Sequence, residues 1–157
     1  MVDNNSVINQ KLISVERAAS DLRRGGMVLI TDSDQSLLVT SAELIIDQRL
    51  DEFKKVSSSE PLVGLTYNRA NILKISPRSG DVALVKISDY MDSAVIASMA
   101  DPADDLINIM QGPFQVADVM TSNTHCAGIN LCKIAKLLPA AIFSEAPANA
   151  CDWADKN

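Results

Sequence analysis

Apolar residues recur along this chain in two alternating rhythms, short runs and helical stripes, and the alternation predicts an α/β order of elements. Ser14 to Arg24 carries Val15, Ala18, Ala19 and Leu22 at helical spacing, the pattern of a helix that buries one side. Residues 1–12 ahead of it are polar and read as a disordered lead-in, with residues 13–157 as a single domain. Gly25-Gly26 stops the helix, where a backbone with positive φ costs least. Met27 to Ile30 is a continuous apolar run, as in a buried strand, and Leu37 to Val39 is a second. Thr31-Asp32-Ser33-Asp34-Gln35 between them is a tight polar turn, so the two strands are expected to form an antiparallel hairpin.

The next helix starts at Ala42-Glu43 behind a Thr40 or Ser41 cap, or waits for Asp47; from Asp47 to Val56 the pattern is helical, with Leu50 and Phe53 inward. Ser57 to Pro61 is a loop, Leu62 to Leu65 a third strand, and Asn68 to Leu73 a short helix. Pro77-Arg78-Ser79-Gly80 reads as a turn and Val82 to Val85 as a fourth strand. Residues 88–120 carry the weakest pattern. Ala94 to Ala97 suits either strand or helix. Asp101 to Asp105 resembles a helix start, with proline in the first turn and acidic residues at the positive end of the dipole, continuing through Leu106, Ile107, Ile109 and Met110. Gly112-Pro113 breaks it, and Phe114 to Met120 is expected to be a fifth strand.

Thr121 to Glu145 is the most structured stretch. Ala127, Leu131, Ile134, Ala135 and Leu138 fall on one helical face, with Asn130, Lys133 and Lys136 toward the other. Asn123 or Thr124 is the expected cap and Pro139 the expected stop. Ala140 to Phe143 then reads as a buried strand, with Ser144-Glu145 at its end, and Asn149 to Trp153 as a last helix start. The connections are too brief for a series of parallel crossovers. The expected class is therefore α/β (α+β), a mixed sheet with packed helices.

Composition narrows the function. The 157 residues are 47% hydrophobic but only 4% aromatic, which calls for an aliphatic core. Twenty acidic against fourteen basic residues give a net charge of -6, a balance that argues against a nucleic-acid partner. No apolar run approaches the length of a membrane span. Three cysteines, Cys126, Cys132 and Cys151, cannot all pair, and the opening residues lack the apolar core of a signal peptide. The expectation is a cytoplasmic protein with reduced thiols.

The candidate chemistry is sparse. His125 is the single histidine and stands beside Cys126, but sequence neighbours on a helix point about 100° apart and make a poor base and nucleophile. Asp32 and Asp34 offer either oxygen ligands for a divalent cation or simply a turn. Asp101, Asp104 and Asp105 read as first-turn charges. Glu145 stands after a buried strand, where α/β folds display catalytic groups, or is an exposed carboxylate before the Ala146-Pro147 turn. Arg17, Arg23, Arg24, Arg69, Arg78, Lys133 and Lys136 are candidates to hold a phosphate, or solvated charges. The familiar nucleotide, zinc and nucleophile motifs are missing.

Two stretches resemble a known family. Val15-Glu16-Arg17-Ala18 through Val28-Leu29-Ile30-Thr31-Asp32, followed by Leu37 to Glu43, is similar to the start of 3,4-dihydroxy-2-butanone 4-phosphate synthase, and Thr124 to Glu145 is similar to its later segment. The resemblance implies a Mg2+-dependent reaction on ribulose 5-phosphate and places the family's catalytic glutamate on Glu145. It places the family's histidine on Thr124, with His125 and Cys126 next, and reduces the acidic metal loop to Asp32-Ser33-Asp34-Gln35. Leu131 to Ala141 and Val15 to Gly25 look more closely like the degenerate synthase-like domain in front of GTP cyclohydrolase II in some alphaproteobacterial proteins. That likeness implies a non-catalytic domain without a cofactor, acting through packing or dimerisation, with a homodimer or a GTP cyclohydrolase II domain as partner. Under the alternative, a divergent active synthase, Glu145 and His125 are the catalytic residues and Asp32 and Asp34 the Mg2+ ligands.

Overall fold

The computed structural model describes residues 4–78, 80–107 and 112–154. In chain order the elements are α1 (Asn4–Arg23), β1 (Met27–Thr31), β2 (Ser36–Ser41), α2 (Asp47–Val56), β3 (Leu62–Thr66), α3 (Tyr67–Ile72), β4 (Val82–Lys86), α4 (Ser93–Ala100), a 3-10 turn (Pro102–Leu106), α5 (Asn123–Ile134), β5 (Ala140–Glu145) and α6 (Ala150–Ala154). The α/β class stands as expected. The five strands lie in the order β1-β2-β5-β3-β4, and each of the four pairings is antiparallel.

β5, late in the chain, is thus the central strand. Buried side chains alternate across the sheet, as a period of two requires. Val28, Leu37, Val39, Leu84, Ala141 and Phe143 face α1 and α5, against Ala19, Leu22, Ile129, Leu131 and Cys132. Leu38, Val63, Leu65, Ala83, Val85 and Ile142 face the other way, against Leu50, Phe53, Ala70, Ile96 and Met99. Two aliphatic cores, one on each face, give three layers. Phe143 reaches its place because Gly64 and Gly128 leave it a slot: a Cβ on Gly64 would stand 2.9 Å from its Cδ2, and one on Gly128 would stand 2.8 Å from its Cζ.

Several elements differ from the pattern reading. The first helix runs back to Asn4 rather than starting at Ser14; residues 1–3 lie outside the described residues. Its exit is as expected, with Gly26 N–H bonding Asp21 C=O, Gly25 N–H bonding Leu22 C=O, and Gly25 at φ 72, a Schellman ending. The second helix waits for Asp47, and Ala94 to Ala97 is helical, within α4. The segment after Pro102 is a 3-10 turn, and the continuation through Ile109 and Met110 lies outside the described residues, as does Ser79 of the Pro77–Gly80 turn. Phe114 to Met120 is not a strand; it makes a single bridge, Val116 to Val85, beside β4.

α5 departs most from expectation. Ser122 is its cap, one residue ahead of Asn123. It ends before Pro139 is reached: Leu137 N–H bonds Cys132 C=O, Lys136 N–H bonds Lys133 C=O, and Lys136 takes φ 59. That is a Schellman ending without glycine. Its buried face carries Thr124, His125, Gly128, Ile129, Leu131, Cys132 and Ala135, while Ala127 and Ile134 are exposed. The apolar stripe therefore sits rotated from the one periodicity suggests, because two polar residues of the first turn are inside.

Candidate functional site

Registry brings one end of the sheet together. Leu37 pairs with Glu145, Leu62 pairs with Phe143 on one side and Lys86 on the other. Alternation puts Glu145 on the same face as Phe143, and Lys86 on the same face as Leu84, so both stand on the face that α5 covers. The first turn of α5 supplies His125 above them. The result is a cavity of about 340 Å3 that includes Gln35, Leu37, Leu62, Lys86, His125 and Glu145 in its lining. Glu60 and Asp118 add carboxylates at its wall.

His125 is 2% exposed. The Ser122 backbone N–H donates to its Nδ1 at 3.1 Å, and the Ser122 hydroxyl lies 2.8 Å from the same atom. An acceptor Nδ1 leaves the neutral ring's proton on Nε2. Ser122 in turn donates from Oγ to Gln35 Oε1 at 2.7 Å, tying the helix start to the hairpin turn. Phe143 meets the imidazole edge to face, with centroids 5.0 Å apart. Burial pushes the His125 pKa below its ordinary value, since a buried imidazolium loses its hydration.

Glu145 is exposed at the end of β5, and its backbone is pinned. Its N–H donates to Ser59 Oγ at 3.0 Å, its C=O accepts from Ser58 N–H at 3.1 Å, and Ser144 Oγ donates to Ser59 C=O at 2.9 Å. The loop after α2 thus latches the strand end. Lys86 contributes a cation to the same cavity.

The sequence candidates divide clearly. His125 and Glu145 share a cavity; Asp32 and Asp34 do not line it. Both aspartates are exposed at the hairpin tip, and Asp32 Oδ1 accepts from Ser33 N–H at 2.6 Å, which is turn chemistry. Among the described residues no group of three or more His, Cys, Asp or Glu side chains is placed to hold a metal ion. Asp32 and Asp34 therefore find no third ligand of these types among the described residues. Thr124 is buried outside the cavity lining, with Oγ1 unpartnered among the described residues. Cys126 lines a different cavity, with Asn130 and Lys133. Burial pushes the Cys132 thiol up to about 12, which makes it inert as a nucleophile.

Arg69 is likewise committed elsewhere. It is 7% exposed, and its guanidinium bonds Met99 C=O at 2.6 Å, Ser98 C=O at 3.1 Å, Asp101 C=O at 3.2 Å and both Asp105 oxygens at 2.6 and 2.7 Å. It clamps the end of α4 to the 3-10 turn. Arg78 pairs with Asp118. Gln35, Ser122, Ser59 and Lys86 were invisible as site residues in the sequence. The one usable signal was Ser122-x-x-His125, a capping-box spacing with histidine in the glutamate position.

The fold matches that of solved 3,4-dihydroxy-2-butanone 4-phosphate synthases. A cation-free synthase structure superimposes with TM-score 0.65 at 20% identity, covering 84% of this chain and 74% of that one. A two-domain synthase from A. baumannii gives TM-score 0.70 at 18% identity, over 90% of this chain and 53% of that one. No family model matches the chain. In sequence it is similar to a GTP cyclohydrolase-2 of Azospirillum brasilense, 26% identical over 145 residues, or 90% of this chain. The match spans only 38% of that longer protein.

Proposed function

We propose that the chain is a non-catalytic synthase-like domain of a cytoplasmic riboflavin-biosynthesis protein. It acts through packing, against a second copy or a GTP cyclohydrolase II domain. The observation that carries this reading is that no carboxylate cluster converges: Glu60, Asp118 and Glu145 line the His125 cavity but, among the described residues, form no group placed to hold a cation, and Asp32 and Asp34 stand apart. Drawing protons from a sugar phosphate and holding the resulting enediolate needs several carboxylates around a cation together with a proton carrier. Here Asp32 and Asp34 stay at the exposed hairpin tip while His125 and Glu145 share a cavity without them. The sequence similarity to part of a GTP cyclohydrolase-2 supports the choice of partner.

The alternative is a divergent synthase acting on ribulose 5-phosphate. It is favoured by one feature, the meeting of His125, Glu145 and Lys86 at one cavity. In that reading the Nε2 proton of His125 and the Glu145 carboxylate are the groups that exchange protons with the sugar, and Lys86 offsets its negative charge.

Formate release from ribulose 5-phosphate by the purified chain with magnesium separates the two. The expected result is no turnover at high enzyme concentration in a well-folded sample. Turnover that Glu145→Gln abolishes would establish the alternative instead. Light scattering, with and without an added GTP cyclohydrolase II, tests the packing role: a monomer that ignores the cyclohydrolase speaks against it.

A further inference from the structure

A second cleft lies away from the His125 cavity, along the open edge of the sheet. β1 is an edge strand, paired only with β2. Its hydrogen-bond phase follows from two bonds. Asp32 N–H bonds Gln35 C=O, and Ala146 N–H bonds Ser36 C=O. In an antiparallel ladder bonded and non-bonded pairs alternate. Ile30 and Val28 therefore exchange bonds with Leu37 and Val39, while Met27 and Leu29 turn their N–H and C=O groups away from the sheet. No backbone bond reaches either residue on that outer side among the described residues.

Helices from opposite faces rise on either side of this edge. Together they enclose a cleft of about 580 Å3, with Met27 to Leu29 as floor, α1 as one wall and α2 as the other. Arg17 lines it from α1, Arg24 from the turn that follows α1, and Arg49 from α2. Arg24 donates to Ser20 Oγ at 2.6 Å. Asp21 and Glu52 also line the cleft, yet neither pairs with an arginine within ion-pair distance among the described residues. Three arginines gather here on a chain whose net charge is -6.

We infer that this cleft receives an extended peptide segment carrying carboxylates, which adds to β1 as a sixth strand. The backbone groups of Met27 and Leu29 supply the ladder, and Arg17, Arg24 and Arg49 select acidic side chains by charge complementarity, Arg being suited to bidentate carboxylate pairing. The inference is independent of any activity at the His125 cavity.

The test is selection of random displayed dodecapeptides against the full chain, followed by amide hydrogen exchange and binding by fluorescence anisotropy. The expected peptides are rich in Asp and Glu with β-branched residues between. Bound, they slow exchange at Met27 and Leu29. Leu29→Pro removes an outward N–H without breaking the β2 ladder, and should abolish binding while circular dichroism stays unchanged. Arg17→Ala, Arg24→Ala and Arg49→Ala combined should weaken binding by about tenfold or more and flatten its salt dependence. The proposal is overturned by recovery of no binders or of non-acidic ones, or by protection elsewhere on the chain. Full binding to the arginine-free variant overturns it too, as does displacement of the peptide by inorganic phosphate without protection at the two amides.

Discussion

The backbone N–H of Ser122 donates to Nδ1 of His125 over 3.1 Å, so an imidazole closes the first turn of α5 where a carboxylate usually would. The ring must stay unprotonated at Nδ1 to accept that bond. Burial acts in the same direction and lowers its pKa.

A pH dependence follows. The unfolded chain binds a proton at His125 near the ordinary value of about 6.5, and the folded chain binds it only at lower pH. Between those points the unfolded state holds more protons, so stability rises with pH there. The contribution is fully present above the unfolded value and is lost as pH falls through the folded one. Urea unfolding across this window should show a fall in stability toward acid, and His125→Gln should remove most of the slope. Proton NMR should find the Nε2 tautomer.

Gly128→Ala sets two effects against each other. Helix propensity favours alanine by about 1 kcal/mol. The new Cβ, however, would stand 2.8 Å from Phe143 Cζ with another ring carbon nearer still, and overpacking of a closed core typically costs about 1–3 kcal/mol. The clash should win, with a lowered melting temperature and a disturbed His125 ring. Adding Phe143→Leu should recover part of the loss, which a double-mutant cycle measures directly.

Among the described residues, Ser41 Oγ and Thr124 Oγ1 are buried without a hydrogen-bond partner. Deleting an unsatisfied hydroxyl removes a desolvation penalty of roughly 1 kcal/mol or more. Ser41→Ala and Thr124→Val should each leave stability unchanged or raise it by about 1 kcal/mol in urea titrations. A large loss at either site would mean that the hydroxyl is satisfied in solution.

Arg69 bonds three backbone carbonyls besides Asp105, so the arginine matters more than its partner. Arg69→Met should lower the melting temperature further than Asp105→Asn does. The Asp105 carboxyl is held below its ordinary value, first by its hydrogen bonds from Arg69. Its contribution is therefore present above the unfolded carboxylate range and lost as pH falls through the folded pKa. Equal melting temperatures for the two variants would contradict the clamp.

Local pattern made the core elements legible. Met27 to Ile30, Leu62 to Leu65, Val82 to Val85 and Ala140 to Phe143 are strands because continuous apolar runs of that length have few other buried forms. Gly25-Gly26 stops α1 for a reason confined to a few φ angles. The rotation of α5 was not legible, since the spacing of apolar residues placed Ala127 and Ile134 inside, while the buried turn is made by Thr124 and His125. Nor was the 114–120 segment, whose apolar residues meet β4 at a single bridge.

The sequence by itself determined the α/β class, the apolar runs that became strands and the two side chains, His125 and Glu145, that reach the cavity. Only the tertiary structure decided that they meet. Their meeting depends on β5 taking the centre of the sheet and on the register of Leu37 with Glu145, both set by contacts between residues far apart in the chain. It also decided that Asp32 and Asp34 stay outside, because a hairpin tip bonded to its own backbone has no reason to fold over the cavity. Pairing partners and relative placement are long-range properties, and the energies that select them come from packing rather than from any local stretch.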